Sequence, residues 1–126
     1  MSFAMRIALF ALFVSLLCES TRASDYEVGA SLACDTQAQV ERFVALFNGD
    51  ARSAIEVVNA EEQNPTACVI RKVAYMRGIK VGTARRGDNA FEIVRILVVG
   101  IETDRGILPV HPSVHFSLFG VKEYAV

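Results

Sequence analysis

The chain changes texture once, at Asn64-Pro65, and that break limits its folds more than any other feature of the sequence. Before the break, apolar residues recur at helical spacing. After it, β-branched and aromatic residues alternate between turn signals. Helices gathered in one part of a chain and strands in another point to an α+β fold, with the helices packed on one side of an antiparallel sheet.

The helical part divides in two. Val40, Phe43, Val44 and Phe47 fall at i, i+3, i+4 and i+7, so residues 36 to 48 are expected to form an amphipathic helix with one apolar stripe. Thr36 and Gln39 have the spacing of a capping box, and Asn48-Gly49 offers the positive φ that ends a helix. Asp50 then caps a second helix running to about Glu62, with Ala51, Ala54, Ile55 and Val58 on its stripe. So short a connection predicts an N-terminal helical hairpin.

Four strands are expected after Pro65. They cover 67 to 76, 79 to 86, 90 to 101 and 113 to 121, with Arg77-Gly78, "RGDN" and "ETDRG" as turns. The third, "AFEIVRILVVGI", is apolar almost throughout and reads as central and covered on both faces, with Gly100 as a bulge. In the fourth, Val114, Phe116 and Leu118 alternate with His115 and Ser117, giving one buried and one wetter face. Short loops imply a meander of about four strands, curled or partly closed around the hairpin. Residues 24 to 33 have no clear period and read either as a loose lead-in or as a short edge strand.

The first 23 residues read as an export signal, since Arg6 precedes the apolar run "IALFALFVSLLC" and Thr21-Arg22-Ala23 supplies a small-x-small cleavage site. A run of about 12 apolar residues is short of the roughly 20 needed to cross a bilayer, so no transmembrane segment is expected once the signal is removed. The remainder, 24 to 126, has the size of one domain. It would work in a periplasm or outside the cell. There Cys34 and Cys68, the two cysteines beyond the signal, are expected to form a disulfide. A bridge between them closes a loop of about 35 residues and would contribute about 3 to 4 kcal/mol in the chain-entropy model. A thiolate at a helix N-terminus is the alternative for Cys34, but Asp35 beside it would oppose that charge.

Charge separates along the chain. Eight acidic residues face Arg42 and Arg52 between Ser24 and Glu62, whereas nine basic residues face five acidic ones from Gln63 onward. Arg71, Lys72, Arg77, Lys80, Arg85 and Arg86 follow one another with no carboxylate until Asp88, so the first β-hairpin is read as a basic surface for an acidic protein or an anionic envelope component. A net charge of −1 and sparse aromatic residues near this run argue against nucleic acid.

His111 and His115 are four apart, but Pro109 and Pro112 keep the segment extended. Residues so spaced on a strand lie about 13 Å from each other, too far to share an ion, and no metal or other cofactor is expected. The chain lacks Gly-x-Ser-x-Gly, His-Glu-x-x-His, a phosphate loop and Gly-x-Gly-x-x-Gly. Glu61-Glu62 point apart at a helix end, which suits a solvated terminus better than an acid/base pair. Dispersed Asp, Ser and His residues meet, if at all, only in the folded molecule.

On the stretches "CDTQAQVERFVALFNGD", "NPTAC" and "FEIVRILVVG", the chain resembles small exported bacterial proteins of unknown function. The resemblance implies export and a paired Cys34 and Cys68, and it brings no catalytic residue. The reading reached from sequence is a non-catalytic exported binding or interaction module with a basic hairpin surface. The alternatives are a small envelope enzyme or thiol-dependent protein, and a secreted inhibitor or effector.

Overall fold

A computed structural model describes residues 26–120; the export signal expected over 1 to 23, and the last residue of the fourth expected strand, lie outside them. Six elements follow in order: β1 (Glu27–Cys34), α1 (Gln37–Leu46), α2 (Ala51–Glu62), β2 (Cys68–Arg86), β3 (Asn89–Thr103) and β4 (Gly106–Gly120). The fold is α+β. Its four strands are antiparallel and joined in sequence order, and β1 and β4 meet to close an uneven ring. The seam is short: Cys34 is the β1 residue in register with β4, opposite Phe116.

Both helices start where local chemistry places them. The Thr36 hydroxyl accepts from the Gln39 amide at 3.2 Å, and the Gln39 side chain accepts from the Thr36 amide at 3.0 Å, completing the capping box. Asp50 caps α2 by accepting from the Ser53 amide at 3.3 Å, and Gln63 ends it in a left-handed conformation with φ of 54°. Arg42 of α1 and Glu61 of α2 join the helices through paired contacts of 3.0 and 2.9 Å. The helices do not lead the fold, contrary to the expected N-terminal hairpin. β1 precedes them, and its eight residues run antiparallel to β2 from Glu27 opposite Tyr75 to Cys34 opposite Cys68. A segment of small residues without period takes its conformation from the partner strand, so nothing local announces it.

Arg77-Gly78 is not a turn. β2 continues through it for 19 residues, and the irregularity appears as register shifts against β3 between Arg77 and Lys80 and again before Gly82. Glycine is required there by close approach, since a Cβ on Gly78 would stand 2.7 Å from the Arg95 carbonyl oxygen. The expected first hairpin is therefore one long strand. "ETDRG" turns as expected, though the strands continue to Thr103 and resume at Gly106, and a register shift falls between Val98 and Gly100.

Apolar residues gather on both faces of the sheet. On one, Val40, Phe43, Val44, Ala54 and Val58 of the helices pack with Leu32, Cys34, Cys68 and Ile93. On the other, Val73, Tyr75, Val94, Ile96 and Val98 form a second cluster. Ile93 and Val94 are neighbours and both buried, so the middle of β3 is covered on both sides as its run of apolar residues predicts.

Candidate functional site

Cys34 and Cys68 are disulfide-bonded and fully buried, with Cα atoms 4.1 Å apart across the β1–β2 pair. The bridge stands where the ring closes, because Cys34 also faces Phe116 of β4. It fixes the chain on either side. The Asp35 amide donates to the Ala67 carbonyl at 2.9 Å. Asn59 of α2 holds the entry to β2: its side-chain oxygen accepts from the Cys68 amide at 2.8 Å, and its nitrogen donates to the carbonyls of Pro65 and Cys68.

Next to this seam lies a cavity of about 520 Å³, lined by residues of all four strands. Ala33, Val69, Val73, Val98, Ile101 and Val110 form its apolar wall, and Asp35, Thr66, Arg71, His111, Ser113 and His115 its polar part. The polar row on β4 follows from strand geometry. Residues two apart share a face, so Ser113, His115 and Ser117 point the same way. Ser117 is buried, and its hydroxyl finds no partner among the described residues.

His115 is the best-held of these groups. Its Nε2 lies 2.8 Å from the Ser113 hydroxyl. Its Nδ1 is buried and stands 3.7 Å from Oδ1 of Asp35. The second oxygen of Asp35 accepts from the Asn64 side chain at 3.4 Å. The direction of the Ser113 contact depends on the tautomer: with the ring proton on Nδ1, Nε2 accepts from the serine hydroxyl. Both histidines line the cavity, but among the described residues no group of three His, Cys, Asp or Glu converges as a metal site would require.

The six basic residues are all exposed on β2, and several of them are engaged by other groups. Arg77 makes a two-pronged ion pair with Glu27, at 2.9 and 2.8 Å, and its guanidinium lies 3.8 Å from the centre of the Phe119 ring. The hydrogen bond to Glu27 raises the Arg77 pKa further. Lys80 faces Glu92 at 3.5 Å, and Arg86 donates to the Ala45 carbonyl at the end of α1. Arg85 is engaged as well. Lys72 is exposed, on the face of β2 opposite its neighbour. Arg71 is different, because it lines the cavity, and among the described residues no carboxylate pairs with it.

The sequence singles out Arg71 and both histidines without placing them together; Asp35 enters there only as a charge opposing a Cys34 thiolate, and Thr66 and Ser113 have no role. The Ser-x-His spacing on an alternating strand was a usable signal for one shared face. The approach of Asp35 was not readable, since it depends on the β1–β4 seam.

No family model, no curated protein and no solved structure matches this chain.

Proposed function

We propose that this chain is an exported binding module whose site is the cavity beside the disulfide, and that it takes a small carboxylate with an apolar body. The observation that carries this reading is Arg71, an exposed permanent cation on the rim of a cavity walled by Val69, Val73, Val98 and Val110, with which no carboxylate forms an ion pair among the described residues, although Asp35 lines the same cavity. The cavity volume falls within the range of small-molecule sites, roughly 300 to 1,000 Å³, and its lining joins an apolar wall to an equal number of polar residues. A guanidinium binds a carboxylate with two parallel hydrogen bonds, while the valines take the rest of the ligand. Export is supported by the signal-like N-terminus and by the buried disulfide. The anionic partner expected for the basic run is thus a small molecule meeting Arg71, because Arg77, Lys80, Arg85 and Arg86 are already engaged.

Calorimetric titration with hexanoate and phenylacetate tests this. Both should bind, hexylamine should not, and Arg71→Gln should weaken binding by about tenfold or more, the worth of one charge-assisted hydrogen bond. Unchanged affinity in that variant would overturn the assignment.

A further inference from the structure

We propose that Ser113, His115 and Asp35 act as nucleophile, general base and orienting carboxylate, and that the cavity hydrolyses esters of small apolar carboxylic acids. The proposal rests on the cavity being the ligand site and adds a reaction to it.

The geometry is that of an activated serine. Ser113 Oγ and His115 Nε2 are 2.8 Å apart, inside the range for proton transfer between a nucleophile and its base. Strand alternation alone can bring a serine and a histidine two apart together. It cannot supply the third group. Asp35 comes from the far side of the ring seam and stands 3.7 Å from the other ring nitrogen, which is buried and has no hydrogen-bond partner among the described residues. Asp35 is itself held, by the neighbouring disulfide, by the hydrogen bond its backbone amide donates to the Ala67 carbonyl and by Asn64 donating to its second oxygen. Such constellations are recognised by roles and distances and not by their order along a chain. Both catalytic residues, Ser113 and His115, open on the same cavity as Arg71.

The reaction balances with water as co-reactant. Ser113 Oγ attacks the ester carbonyl carbon as its proton passes to His115 Nε2. Collapse of the tetrahedral intermediate breaks the bond to the alcohol oxygen, and the alcohol leaves with that proton. Water then gives a proton to His115 and attacks the acyl carbon; the bond to Oγ breaks, and Ser113 takes the proton back. The acid departs, and nothing is oxidised or reduced. Arg71 supplies the positive charge facing the carbonyl oxygen as it turns negative, and the same charge then holds the product carboxylate. Ester substrate and carboxylate ligand are therefore two states of one occupant. Asp35 is a positioning residue: it touches no reacting atom and acts through the imidazole.

The test uses the full disulfide-bonded chain, a hexyl fluorophosphonate as serine-directed probe, and 4-nitrophenyl hexanoate as substrate. Intact-mass analysis and peptide mapping should find one adduct, on Ser113, and nitrophenol release should exceed one equivalent. Ser113→Ala should abolish the adduct while keeping hexanoate binding. His115→Gln should slow labelling by a hundredfold or more. Asp35→Asn should slow labelling and lower kcat for 4-nitrophenyl hexanoate by about tenfold or more, with KM and hexanoate affinity at their wild-type values, because the ring it faces loses its orienting group. An Asp35 that only supports the fold would change binding and stability together and leave the kcat-to-KM split where it was. Lys72→Gln, on the opposite face, should label at the wild-type rate. Absence of labelling at Ser113 in a protein that still binds hexanoate overturns the hydrolase and leaves the binding module standing. Labelling without hexanoate affinity does the reverse.

Discussion

The two faces of the sheet bury apolar residues to different ends. On the helix side, Ile93, Val40 and Val58 are fully covered, and side chains from two helices fill the space between them and the strands. On the other side, Val73 and Val98 are also buried, with Val110 and Phe119 packed against their cluster, but they border a cavity that Arg71, Ser113 and His115 line as well. A filled face contributes transfer free energy and dispersion contacts. An unfilled face keeps polar groups usable, and the molecule carries their desolvation on the stability supplied opposite. The disulfide sits at the boundary, where it serves both.

Reduction of the Cys34–Cys68 bridge should therefore have the largest effect, because it reaches both faces. Cys34→Ser with Cys68→Ser should cost about 2 to 5 kcal/mol in chemical denaturation, enough to unfold a domain of this size at 37 °C. Where folded protein remains, loosening of Asp35 should lower labelling of Ser113.

Truncations on the two faces should then differ. Ile93→Ala removes a fully buried side chain from the filled face and should cost about 2 to 5 kcal/mol by denaturant unfolding. Val73→Ala only enlarges a space that already exists, so its cost should stay below about 2 kcal/mol while carboxylate affinity changes. Equal costs would erase the distinction between the faces. Arg71→Gln should separate function from stability altogether, with unfolding within about 0.5 kcal/mol of wild type and binding strongly reduced.

The smallest effect is expected at the exposed Arg42–Glu61 pair. The hydrogen bond from Arg42 holds the Glu61 carboxyl below the ordinary carboxylate range. A depressed carboxylate pKa contributes stability above its unfolded value, and that contribution fades as pH falls through the folded value. Glu61→Gln should accordingly be slightly less stable than wild type at pH 7, and the two melting curves should converge in acid.

Several features were legible without coordinates because their causes are local. The capping box at Thr36, the cap at Asp50 and the stripe of Val40, Phe43 and Val44 depend on residues within one or two turns of each other. The strand character after Pro65 came through for the same reason. Arg77-Gly78 misled because glycine marks close backbone approach as readily as a turn, and here Arg95 lies against it. β1 stays undecided in the sequence, between a loose lead-in and a short edge strand, because its conformation is lent by β2.

By itself, then, the sequence determined the fold class, the helix starts, the cysteine pair and a separation of charge, all of which follow from periodicity, composition or short-range hydrogen bonding. Only the tertiary structure decided that Arg71 faces a cavity while Arg77 and Lys80 are engaged by acidic residues, and that Asp35 reaches His115 beside Ser113. Those juxtapositions are set by strand register and by the closing of β1 on β4, and register is a property of pairs of strands that no single segment encodes.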